Sequence, residues 1–371
     1  MANKVLGIVN IEPSYVKVEG IEDYRPISAA SIFGRYRVID FILSNLTNSG
    51  IYNIDVQVKN RPRSTIQHLN RTNYNINTKK GKIRILHGEK PISNEIYNTD
   101  IASLMANLEF FEESNAAYVV LCPSHFVYAM DMMELVEHHI KSKNDITVLY
   151  QNVSDADKNF LMCDTLDFNK SKRITKMEKN LGKSKSAKIS LETYVMSMKT
   201  FIDSLYAAKT ISSLYSLSDI IAESINDFKV GAYHHHGYAA CISNLNAYYK
   251  ANMDIKDEKE LHKMINDDWP IYTATSDSCP TLYTEGAKVT SSIIGNGCLI
   301  EGTVINSVIG RNVVIKKGSV IKDCVVMPDA LINKNVTMEK VVVDRLAIVT
   351  HKKDLKGSAD MPLYVNRRDR I

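Results

Sequence analysis

Two groups of residues in this 371-residue chain have the types that chemistry requires. His234-His235-His236 has the look of a metal cluster, but three consecutive residues on a strand point to alternating faces, so the run reads as a solvated strand end. The six cysteines, Cys122, Cys163, Cys241, Cys279, Cys298 and Cys324, are scattered without a C-x-x-C pair, as in a chain of reduced, mostly buried thiols. Neither a zinc site nor a disulfide framework is expected from that spacing. Lys and Arg number 46 against 42 Asp and Glu, a net +4, too even to argue for nucleic acid or an anionic membrane as partner. Any basic site must therefore be local. The C-terminal run Arg367-Arg368-Asp369-Arg370 reads as a solvated tail.

The elements that would position such groups fall into two textures. Over the first two-thirds, short apolar runs at 5–11, 54–58, 116–121 and 146–150 read as buried strands. Helical spacing intervenes at about 102–113, with Leu104, Leu108 and Phe111 on one face, and at about 218–228, with Ile221, Ile225 and Phe228. That alternation predicts an α/β domain with a largely parallel sheet, whose ligands sit at the strands' C-terminal ends. From about Ala287 the period becomes six, in Ile294 and Ile300 and again in Ile309, Ile315 and Ile321, with glycines between. A hexapeptide period predicts a parallel β-helix, whose coils bury their faces only on neighbours and so lean on the α/β domain or on another subunit. The predicted organisation is 1–255 α/β domain, 256–285 connector around Trp269-Pro270, and 286–371 β-helix. With 44% hydrophobic residues but no run of about 18 apolar ones, and no export signal, the expected location is the cytoplasm. A β-helix alone also fits a hexapeptide acyltransferase; such an enzyme wants a histidine on a coil, and residues 287–348 contain none.

The run Phe33-Gly34-Arg35-Tyr36-Arg37-Val38-Ile39-Asp40-Phe41-Ile42-Leu43-Ser44-Asn45, then Asn48-Ser49-Gly50-Ile51, closely resembles the F-G-G-K-Y-R-x-I-D-F-x-L-S-N-x-x-N-S-G-I segment of glucose-1-phosphate adenylyltransferases. Further stations follow in the same order. Tyr128-Ala129-Met130-Asp131 resembles Y-K-M-D, Met177-Glu178-Lys179 resembles F-x-E-K-P, and Gly237-Tyr238 with Tyr249-Lys250-Ala251-Asn252-Met253 resembles G-Y-W-x-D-V-G-T…Y-x-x-A-N-M. The resemblance implies a Rossmann-like, glycosyltransferase-A-type nucleotidyltransferase domain with a mixed, mostly parallel sheet, followed by a left-handed parallel β-helix.

It also implies where substrates would be held, and there the chain departs from the pattern. Joining a nucleoside triphosphate to a sugar phosphate requires several negative charges to be neutralised and the reacting groups aligned. The family's G-G-G-x-G-x-R-L loop becomes Leu6-Gly7-Ile8-Val9-Asn10-Ile11-Glu12-Pro13-Ser14, with one glycine and a carboxylate in place of the arginine, and a nearby lysine falls on Ile27. The two magnesium-bearing aspartates align with His125 and Cys241, which are softer donors than Mg²⁺ prefers. In the sugar-phosphate pocket Glu178, Lys179 and Ser190 remain, but S-M-G-I-Y becomes Ser190-Leu191-Glu192-Thr193-Tyr194 and G-T-A-D-A becomes Thr99-Asp100-Ile101-Ala102-Ser103. Arg35 falls on the position that in the catalytic relatives serves an activator phosphate, so Arg35, His68 and Arg71, with Arg61 and Arg63, are the candidate effector-anion site.

The expected role is thus a catalytically silent regulatory subunit of glucose-1-phosphate adenylyltransferase in glycogen biosynthesis. It would have no catalytic residues, metal or cofactor of its own, magnesium belonging to a catalytic partner. The expected assembly is an oligomer, a heterotetramer with an active paralogue, tuned by a phosphorylated sugar or phosphate effector and bound to neither nucleic acid nor membrane. The rival is an active adenylyltransferase with atypical site residues.

Overall fold

A computed structural model describes residues 4–59, 61–88, 99–211, 215–265, 268–350 and 353–371. Strands Val5–Val9, Ile54–Val58, Ile83–His87 and Tyr118–Cys122 run parallel, with Val5–Val9 between Ile54–Val58 and Tyr118–Cys122. On the far side of Tyr118–Cys122 the sheet reverses: the long strand Ala187–Ser197 is antiparallel both to it and to Ile146–Val153, which in turn pairs in parallel with Val230–His234. The Asp164–Phe168 and Ile174–Lys179 hairpin completes nine strands. The helix Val38–Asn48 sets Ile39, Ile42, Leu43 and Leu46 against one face of the sheet, at the spacing of a single helical stripe. Its first turn is anchored by Asp40, whose carboxylate accepts from the Arg37 N–H (2.8 Å) and the Tyr74 hydroxyl (2.7 Å).

Three predicted elements end elsewhere, for local reasons. The strand read over 5–11 stops at Val9, where the Asn10 side chain bonds to the Ile11 N–H and begins a loop. The helix read over 102–113 is two, Asp100–Met105 and Leu108–Glu112. Between them the Asn107 amide donates to Ser103 O (2.9 Å) and His87 O (3.0 Å), which holds the backbone out of helical φ/ψ. The helix read over 218–228 runs only over Leu217–Glu223 before tightening into a 3₁₀ turn at Ser224–Asn226.

The C-terminal part is a left-handed parallel β-helix of three five-stranded parallel sheets. Its interior ladders are aliphatic: Ile300, Ile315, Ile332 and Val349 stack on one side, Val304, Ile321, Met338 and Leu355 on the next, all buried. The first paired strand, Leu282–Tyr283, precedes the hexapeptide period that marked the change of texture. At the other end the C-terminal run is not a free tail: the Ile348 N–H donates to Asp369 O (2.7 Å), Arg370 bridges Ile348, and the Thr350 N–H reaches Ile371 O (2.5 Å). Those bonds cover one of the three strand edges of the last coil.

The two parts share one apolar cluster, including Phe33, Phe41 and Tyr248 with Val325, Met327 and Val342. Within it the Arg25 guanidinium meets Asp344 at 2.5 Å, both buried, and Asp344 also accepts from the Tyr364 hydroxyl (2.6 Å). Gly34 sits at φ +70, where a Cβ would lie 2.9 Å from Ile309 O, so the approach of the coil requires glycine. No described helix is long and apolar enough to cross a membrane.

Candidate functional site

The small two-stranded antiparallel sheet of Phe126–Tyr128 with Ala239–Cys241 brings together the two positions aligned with the family's metal-bearing aspartates. Cys241 lies opposite Phe126, and the Ile242 N–H donates to His125 O (2.9 Å). His125 is fully buried, and burial pushes its imidazole down to about 3, so it is neutral at physiological pH. Its Nε2 lies 3.0 Å from the Tyr15 hydroxyl, while its Nδ1 has no partner. Cys241 Sγ touches Cys163 Sγ at 3.6 Å, and Cys163 Sγ lies 3.6 Å from the same Tyr15 hydroxyl. Burial first, then its neighbours Cys241 and Glu192, raise the Cys163 thiol, so it stays protonated.

Tyr15 is the hub of this cluster. Its hydroxyl donates to Glu192 Oε1 at 2.5 Å, and Glu192 Oε2 is 3.7 Å from His125 Nε2. Glu192 stands at a register shift of the Ala187–Ser197 strand with φ +49, a left-handed position that glycine adopts at no steric cost. Desolvation raises its carboxyl to about 7, against the lowering effects of the Tyr15 hydrogen bond and the Lys179 charge. The loop after the first strand is filled in the same manner. The Asn10 amide donates to Asp100 (2.9 Å), and Asp100 also receives the Leu217 N–H that opens the Leu217–Glu223 helix. Glu12 accepts the Ser28 N–H at 3.0 Å. Ile27 is core, with no exposure.

Strand alternation separates the retained sugar-phosphate residues. Glu178 faces solvent and pairs with Lys176 (2.8 Å), whereas Lys179 turns inward onto Asp164 (2.8 Å), with Asp219 at 4.0 Å and Ser218 Oγ at 3.2 Å. Burial pulls the Lys179 ammonium down, but Asp164, Glu192 and Asp219 together carry it above its ordinary value. Its charge is therefore fixed and already countered. Ser190 is buried, its hydroxyl accepting the Glu192 N–H (3.1 Å).

The candidate effector cluster does not assemble as read from the sequence. His68 is buried with its Nε2 2.5 Å from Asp40, so it secures the Val38–Asn48 helix instead of facing an anion. Arg61 donates to the Glu22 carbonyl. Arg35, Arg63 and Arg71 are exposed, and burial first, then the charge of Arg35, lower the guanidinium of Arg311 on the β-helix. Sequence reasoning noticed Glu192 but missed Tyr15, Cys163, Asp164 and Asp219, which no motif marks.

Magnesium takes carboxylate, phosphate and water oxygens in near-octahedral array. A neutral imidazole, two cysteine sulfurs and one carboxyl held by a tyrosine do not fit it. Among the described residues no group of three or more His, Cys, Asp or Glu side chains converges as a metal site.

Comparison with known proteins places this geometry. Residues 25–258 match the nucleotidyl transferase family, and residues 281–356 match the GlmU-like C-terminal hexapeptide family. Proteins named glucose-1-phosphate adenylyltransferase are similar along most of both chains. That of Bacillus cytotoxicus is 29% identical over 317 residues, 84% of this chain and 83% of its own. That of Bacillus anthracis is 30% identical over 319 residues, again 84% and 83%, as is that of Bacillus thuringiensis subsp. konkukian. Identity of this extent over most of both chains means that the chain belongs to the glucose-1-phosphate adenylyltransferase family of nucleotidyl transferases.

Proposed function

We propose that this chain is a catalytically silent, regulatory subunit of glucose-1-phosphate adenylyltransferase, which works by tuning an active paralogous subunit that makes ADP-glucose in glycogen synthesis. The observation that carries the reading is the Tyr15–Glu192–His125 cluster: the chain's own side chains occupy the space between the two degenerate metal positions and are hydrogen-bonded to each other. Lys179, neutralised by Asp164, supports it, as does the acidic loop residue Glu12, already bonded within the chain. A pocket with these occupants has no means of countering a triphosphate. The regulatory route is population shift, in which assembly favours the partner's competent conformation. Arg35 and Arg71, without His68, remain the proposed anion-binding residues, for a phosphate or sugar-phosphate effector. Magnesium would belong to the catalytic partner, and the assembly would be a cytoplasmic heterotetramer.

The test has two arms. The purified chain is assayed with ATP, Mg²⁺ or Mn²⁺ and glucose 1-phosphate, then mixed with an active paralogue. The expected result is no pyrophosphate release alone, and co-elution with altered turnover or activator response in the mixture. Family-like turnover by the chain alone, or no change in the partner, overturns the reading.

A further inference from the structure

The three consecutive histidines take no part in the chemistry above. The strand Val230–His234 continues in register beside Ile146–Val153, with the His235 N–H donating to Tyr150 O at 2.8 Å. Alternation turns His235 inward, 5% exposed, with its Nε2 3.3 Å from Tyr238 O. The same alternation leaves His234 and His236 together on the other face. Their rings are perpendicular (89°) with centroids 4.2 Å apart, and His234 Nδ1 lies 3.1 Å from His236 Nε2. The Asn152 side-chain amide lies 3.0 Å from His234 Nε2. That contact is made by the amide nitrogen, so Asn152 donates to His234 Nε2 and the His234 proton lies on Nδ1, directed at His236 Nε2.

Nitrogens ligate a borderline metal at about 2.0–2.1 Å, so two of them 3.1 Å apart subtend roughly 95–100° at a shared ion, between the octahedral and tetrahedral angles. We propose that His234 and His236 form a two-imidazole site for a divalent transition metal such as Zn²⁺ or Ni²⁺. The metal replaces the hydrogen bond between the rings: the His234 proton moves from Nδ1 to Nε2, where the Asn152 amide turns its oxygen to accept it, both facing nitrogens become ligands, and no proton is lost. No third His, Cys, Asp or Glu converges on them among the described residues, so water completes the coordination and the ion exchanges freely. His236 also borders an open cavity of about 470 Å³ shared with Asp155, Lys250 and Gln151, whose buried Oε1 has no partner. Water carried by the metal at this rim would have polar company.

Equilibrium dialysis of the full chain against Zn²⁺, and separately Ni²⁺, tests the site, with the exposed thiol Cys279 replaced by Ser throughout. One saturable ion per chain is expected, with His234→Asn and His236→Asn each weakening it at least tenfold and His138→Asn leaving it unchanged. Asn152→Ala should weaken it by less than either histidine change. A thermal shift on adding Zn²⁺, present in the parent and absent in both histidine variants, distinguishes site loss from misfolding. Undiminished binding in either histidine variant, or no saturable ion in the parent, overturns the proposal.

Discussion

Glu192 offers the sharpest test of the filled pocket. Replacing it with Gln keeps the shape and the acceptor for Tyr15 but removes the titrating proton. In the folded chain the carboxyl titrates near 7, against an ordinary value of 4.5, so between those values the folded state holds a proton that the unfolded state has released. Stability contributed by this group is therefore complete below about 4.5 and is lost as pH rises through about 7. The full span corresponds to about 3 kcal/mol, at roughly 1.4 kcal/mol per pH unit. The Glu192→Gln variant should match the parent within about 1 kcal/mol at pH 4.5 and exceed it by up to about 3 kcal/mol at pH 8. Urea midpoints measured at several values between pH 4.5 and 8 give that difference directly. Glu22, also raised to about 7 by burial and then by Glu12, titrates alike in both proteins and cancels. Parallel stability profiles for the two, or a parent that gains on the variant as pH rises, would refute the claim that the carboxyl is desolvated against the Tyr15 hydroxyl.

Two further outcomes follow from the junction between the parts. Arg25→Met leaves Asp344 buried without its cation, beside the Tyr364 hydroxyl, and should cost about 3–5 kcal/mol of stability, read as a fall in urea midpoint; a loss below about 1 kcal/mol would show the pair to be solvated. Gly34→Ala combines φ +70 with a Cβ 2.9 Å from Ile309 O and should cost about 1–3 kcal/mol, measured the same way, whereas Gly286→Ala, with φ +91 but nothing within 4 Å, should cost only the backbone share of that.

The two-part architecture was legible because periodicity records burial directly: period two or short apolar runs in the sheet, period six in the coils. Element ends were less so. At Asn107 a side-chain amide reaching Ser103 and His87 outcompeted a good helical stripe, and no local pattern announces a bond to a carbonyl 20 residues away. The site divided in the same manner. Motif alignment located His125 and Cys241, and the structure joins them on one two-stranded sheet, but Tyr15 reaches His125 across 110 residues and Asp164 counters Lys179 from a neighbouring strand. His68 failed as an anion ligand because Asp40, which the sequence marks only as part of the Phe33–Asn45 motif, takes its imidazole. The histidine run shows the converse: alternation was rightly expected, yet it is what brings the first and third rings together, edge to face.

The pairing of Asp369, Arg370 and Ile371 along Ile348–Thr350 covers one of the three strand edges of the last coil and gives the β-helix a polarity. Its first coil, Leu282 to Ile294, pairs on one side only among the described strands and carries the exposed Leu282 and Tyr283. Among the described strands the last coil keeps two uncovered edges, Asp354–Lys356 and Leu363–Val365, against three on the first, so the two tips offer different sets of unpaired backbone groups.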